Sequence, residues 1–118
     1  MKKDKKITKH QIYLDERKEV KRKFKEWSIA IKERDAHKCA ICGSILLLTS
    51  HHIIPRENKE FRFDLDNGIC LCVKHHKYSF DISAHRNSFI FVCWLQQNRP
   101  EQFERLYNKW KFINNKNV

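Results

Sequence analysis

The sequence predicts a small α+β domain, and three observations predict it. An apolar stripe at helical spacing marks the first third, two short β-rich runs follow in the middle, and two helical segments close the chain. With 118 residues there is room for one domain. At 41% hydrophobic and 33% charged residues its core is thin, and a core of that size calls for a staple.

Residues 1–13 read as a Lys-rich flexible arm and residues 14–118 as the single domain. From about Asp15 a helix is expected, because Val20, Phe24, Trp27 and Ile31 fall on one face, with Lys21, Arg22, Lys25, Glu26 and Lys32 opposite. The stripe reads as packing rather than as a ligand site. A tight knuckle at Lys38–Gly43 precedes a short strand over Ile45–Thr49, and Pro55 should end that ladder. A polar loop spans 56–67, Ile69–Leu71 can form a second strand, and a helix is expected from about Cys72 to Phe80. Two helices close the chain: Phe89–Gln97, and a second opened by Pro100 in a first-turn position and running to about Phe112.

Charge narrows the partner. Lys and Arg number 25 against 14 Asp and Glu, a net charge of +11, and residues 1–25 hold eleven basic and four acidic side chains. Such a surplus attracts a polyanion, DNA or RNA first. No apolar run approaches the roughly 18 residues of a membrane span. An odd count of five Cys with no secretory signal argues against a disulfide framework and for reduced, cytoplasmic thiols available to metal.

Cys39-x2-Cys42 and Cys72-x2-His75 are two ligand pairs, 29 residues apart, that together suit one tetrahedral structural zinc. A two-Cys, two-His finger is excluded, since position 55, where its first His would fall, is Pro. Cys72 is preferred over the nearby Cys70 because only Cys72 makes the short bite with His75; Cys93, inside an apolar run, reads as core.

Five of the seven His lie between 51 and 85, with doublets at 51–52 and 75–76. Neighbours on a strand point to opposite sides, so a His pair there serves two tasks. The spacing His52, Asn67 fifteen residues on and His76 nine further resembles the HNH (His-Me finger) endonuclease family. The wider pattern agrees: Trp27, Arg34-Asp35, the Cys39/Cys42 knuckle, His51-His52-Ile53-Ile54-Pro55 and Asn67-x3-Leu71-Cys72-x2-His75-His76. The resemblance covers residues 27 to 80. It departs in two places: His75 stands where a fourth Cys is usual, and His51 where many members carry Asp.

The resemblance implies a ββα-metal core with zinc at its base, flanked by the N-terminal helix and the C-terminal helices. It implies His52 as general base, and His51 and His76 as ligands of a catalytic divalent ion (Mg2+, Mn2+, Ni2+ or Zn2+). Asn67 would pin the loop so that His52 keeps its angle. Arg56 can clamp a phosphate, and Lys21, Arg22 and Lys25 are DNA-binding candidates. His85 is either an added metal ligand or a surface residue; the sequence leaves both open. The implied activity is nicking or cleavage of DNA with weak sequence preference, in a bacterial or phage-infected cell, beside a phage terminase or recombination protein as partner. Two rivals stand next to it: a zinc-stapled DNA-binding module without catalysis, and an accessory of a packaging or recombination complex.

Overall fold

The computed structural model describes residues 6–115. Helix α1, Lys9–Arg34, opens on Thr8, whose hydroxyl accepts from Gln11 N–H at 3.1 Å. It therefore starts six residues before the expected Asp15, and residues 9–13, assigned to the arm, are helical. Apolar periodicity misses these turns because residues 9–13 are exposed; the Thr8 cap and polar pairs such as Gln11–Asp15 support them. Residues 1–5 of the arm lie outside the described residues.

Two strands, β1 (Leu48–His52) and β2 (Gly68–Cys72), form an antiparallel ribbon in which His52 faces Gly68 and Leu48 faces Cys72. β1 starts later than the apolar run suggested. Ile45, Leu46 and Leu47 are exposed, and Leu47 turns the chain at φ 51°, a left-handed value that breaks an extended run. β2 is buried along its whole length. Trp27 and Ile31 of α1 pack on it at Gly68, where a Cβ would sit 2.6 Å from Trp27 Cζ2 and from Ile31 Cγ1. Only glycine admits that approach. The expected helix over 72–80 is shorter, a five-residue π-helical turn at Lys74–Tyr78.

Helices α2 (Ser88–Asn98) and α3 (Pro100–Asn114) agree with the expected pair within two residues at each end. Phe91 and Leu95 of α2 join Ile69, Leu71 and Ala84 in the core around the Cys39 knuckle. α3 fastens the loop before β2: Arg105 pairs with Asp66 at 3.0 Å, and Lys109 with Asp66 at 2.8 Å and Asp64 at 3.0 Å. Asp35, its side chain 2% exposed, ties three elements together. It accepts from Arg34 at 2.9 Å, from Cys70 N–H at 2.8 Å and from Arg99 at 3.0 Å. No helix among the described residues is long and apolar enough to cross a membrane.

Candidate metal and catalytic centre

The knuckle brings Cys39 and Cys42 beside Cys72 and His75, and the four donor atoms lie within 4.8 Å of one another. Cys42 Sγ is 3.7 Å from Cys72 Sγ, and His75 Nδ1 is 3.4 Å from Cys72 Sγ and 3.7 Å from Cys39 Sγ. Ligands of one tetrahedral zinc, with Zn–S about 2.3 Å and Zn–N about 2.0 Å, stand about 3.5–3.8 Å apart. The donor set fits that ion. Burial pushes the Cys39 thiol up, but backbone N–H groups of Cys72, Cys42 and Ile41 outweigh it and hold the thiol below its ordinary value. Cys72, pushed up by burial and by the neighbouring sulfurs, moves the other way. Cys70 lies outside this group, packed with Trp27 and Ile31 under α1.

The second group is His51, His76 and His85, whose ring nitrogens also lie within 4.8 Å of one another. His76 Nε2 and His85 Nε2 are 3.0 Å apart, and the ring centroid of His51 stands 5.0 Å from each of theirs. Nitrogens in neighbouring positions of an octahedral ion, at about 2.1 Å each, are about 3.0 Å apart, so this set fits a divalent cation. His85 is carried in by backbone bonds, Ala84 N–H to His75 O at 2.9 Å and His85 N–H to His76 O at 3.0 Å. Burial, then the neighbouring imidazoles, lower His51 to about 3 and His76 to about 4. Both rings are neutral at pH 7, with lone pairs free for a metal.

His52 points to the other side of β1, as strand alternation requires. Its imidazole stacks on the Trp27 indole with centroids 3.9 Å apart and planes 10° apart, and Phe24 meets it edge-on at 5.6 Å. Its Nε2 lies 2.9 Å from Arg62 O. A carbonyl only accepts, so Nε2 carries the proton and Nδ1 is left basic. Burial first, then Arg56, holds this imidazole below its ordinary value against the Arg62 carbonyl and Glu57.

Asn67 is fully buried. Its Oδ1 accepts from Ile54 N–H, while Nδ2 donates to Ile54 O at 3.0 Å and Phe61 O at 3.1 Å. It thus closes the loop between the strands next to the carbonyl that holds His52. Both sides of β1 meet in one cleft of about 750 Å³, lined by His51, His52, His76, His85, Arg56 and Glu57.

Of the DNA-binding candidates, Arg56 and Lys21 line a second, larger groove that shares His52 with the cleft. Arg22 and Lys25 do not line it; Arg22 is paired with Glu19 and Glu26 on another side of α1. Sequence reasoning misses Arg62, whose carbonyl orients His52 and whose side chain lines the groove. The signal available is a basic residue ten positions after the His doublet, too weak to find it. Trp27, expected only to pack, is also the platform of His52.

Residues 39–82 match the family model described as HNH endonuclease. No curated protein and no solved structure matches the chain.

Proposed function

We propose that residues 39–82, which match the HNH endonuclease family model, form the core of a metal-dependent nuclease that hydrolyses DNA phosphodiester bonds. One observation carries this reading: three clustered His on one side of β1 and a backbone-oriented His52 on the other open into the same cleft. A stapled binding module needs neither the triad nor the oriented imidazole.

His51, His76 and His85 would hold the divalent ion, which when bound stabilises charge on the scissile phosphate and on the leaving 3′-oxygen. His52 takes the proton of the attacking water at Nδ1 while Nε2–H stays on Arg62 O. The Trp27 face lies against the imidazole as it becomes cationic. Asn67 is a positioning residue, acting through the loop that carries Arg62. Arg56 is placed to bond a phosphate oxygen at the cleft mouth. Water adds to phosphorus and the P–O3′ bond breaks, giving a 5′-phosphate and a 3′-hydroxyl. Zinc at Cys39, Cys42, Cys72 and His75 would hold the turn that presents His76.

The test is supercoiled plasmid incubated with the purified protein and Mg2+, Mn2+, Ni2+ or Zn2+ in turn. Nicked or linear product is expected with at least one ion and not with His52→Ala. No product with any ion would leave the binding module as the better reading.

A further inference from the structure

Beside the cleft, between α1 and the loop before β2, runs a larger groove of about 1020 Å³. Along α1 its lining runs from Tyr13 to Ser28, about 22 Å at 1.5 Å per residue. Six cations line it: Arg17, Lys18, Lys21, Arg56, Lys59 and Arg62, against a single acid, Glu16. Among the described residues none of the six is in an ion pair. Five cations outside the groove are paired: Arg22 with Glu19 and Glu26, Arg34 and Arg99 with Asp35, Arg105 with Asp66, and Lys109 with Asp64 and Asp66.

Arg62 adds a second, independent mark. Its Nε is buried and finds no hydrogen-bond partner among the described residues. The guanidinium is held over Phe63 at 5.1 Å and Phe24 at 5.8 Å, contacts that fix its plane without satisfying its donors. A desolvated, unpaired donor on a charged group is costly, and Arg62 also lines the groove, where its guanidinium can meet an anionic oxygen.

We propose that this groove binds the sugar-phosphate backbone of DNA on one flank of the scissile bond, with Arg62 as the innermost phosphate clamp. The inference rests on the nuclease reading and extends it to how the substrate lies. Ser50, His52 and Arg56 line both cavities, so a strand crossing the cleft continues into the groove. A lining about 22 Å long, with cations contributed both by α1 (Arg17, Lys18, Lys21) and by the facing loop (Arg56, Lys59, Arg62), suits a polymer backbone rather than a lone phosphate, and about six nucleotides of one strand span that length at about 3.4 Å each. Tyr13 and Leu14, near the N-terminal end of α1, form the far end of the groove.

Binding is measured by fluorescence anisotropy on a labelled DNA duplex in the His52→Ala background, across a salt series. Replacing Arg17, Lys21 and Lys59 together by Ala should weaken affinity on the order of tenfold or more and lower the salt slope by about 3, nearly one unit for each phosphate no longer neutralised. Removing Lys38, Lys74 and Lys111, which lie outside the groove, takes away the same charge and should change the slope by less than about 1. Arg62→Gln should also weaken binding and Arg62→Lys only partly restore it, with folding of each followed by circular dichroism. Duplexes trimmed below about six nucleotides on one flank should bind less well, and those trimmed on the other flank should not. Equal effects of the two triple variants, or equal effects of trimming either flank, overturn the proposal. Failure here with plasmid still nicked leaves the nuclease reading standing. A groove-specific slope without any cutting removes the nuclease reading and keeps the DNA site.

Discussion

The Trp27 indole lies flat on the His52 imidazole, 3.9 Å between centroids, while its Nε1–H is anchored to Asp64 O at 2.9 Å. One side chain thus fixes the ring of the proposed base and ties α1 to the loop before β2. Trp27→Phe keeps an aromatic face but loses the anchor. We expect cleavage at saturating DNA to fall about tenfold, with zinc content unchanged and Tm lowered by several degrees. A Tm drop with full turnover would assign Trp27 to packing alone.

His52→Ala should remove cleavage by 10²- to 10⁴-fold, the scale of a lost general base, while leaving fold, zinc and DNA affinity intact. His76→Ala should be equally inactive but by another route, since it removes a metal donor. High Mn2+ or Ni2+ should recover part of the His76→Ala activity and none of the His52→Ala activity. Identical rescue of both variants would contradict the division of roles.

Structural zinc contributes on the order of 10 kcal/mol to small domains of this kind. Cys39→Ser and Cys72→Ser should therefore be unfolded or insoluble, and elemental analysis of the native protein should give one tightly held zinc per chain. A metal-free form melting at the native temperature would rule the staple out.

Gly68→Ala places a methyl against Trp27 and Ile31, both buried and unable to withdraw. A loss of about 1–3 kcal/mol is expected in urea melts, as for an overpacked core. Stability equal to native would mean that α1 is free to move off β2.

Acid stability follows from Asp35 and Asp66. Burial alone would raise both carboxyls, but the Arg34 side chain and the Cys70 N–H at Asp35, and Arg105 and Lys109 at Asp66, hold them below the ordinary 3.8. Below 3.8 the unfolded chain binds these protons before the folded one does. Their stabilisation is present in full above that pH and is lost as pH falls through the folded values. Asp35→Asn should lower stability at pH 7 by on the order of 2 kcal/mol and flatten the acid limb of a pH–stability curve. An unchanged limb would show that other groups set it.

Both candidate donor clusters are legible in the sequence because they are built from short spacings. Cys39/Cys42, Cys72/His75 and the two His doublets carry their geometry locally, in a knuckle, a strand and a turn. What escaped rests on partners far apart in the chain. Asp35 meets Arg99 across 64 residues, and Gln102, buried, donates to Gly68 O at 2.8 Å across 34. Polar residues of that kind read as surface until the fold closes over them. The start of α1 is hard to read for the opposite reason: residues 9–13 are exposed, so no apolar period marks them, and only Thr8 announces the end. The groove was half legible, since Lys21 and Arg56 lie in it, but Arg22 and Lys25 share its helix and not its face.

The antiparallel register of β1 and β2 has a consequence for how such a chain can change. His51 pairs with Ile69 and His52 with Gly68. Deleting Leu48, Thr49 or Ser50 would preserve every histidine, every cysteine and the overall charge, yet exchange the two sides of the ribbon. His51 would then face the Trp27 indole, and His52 would face the side of His76 and His85. Between positions 48 and 52 a change of length is therefore more damaging than a substitution, because it turns the strand's side chains to the opposite face.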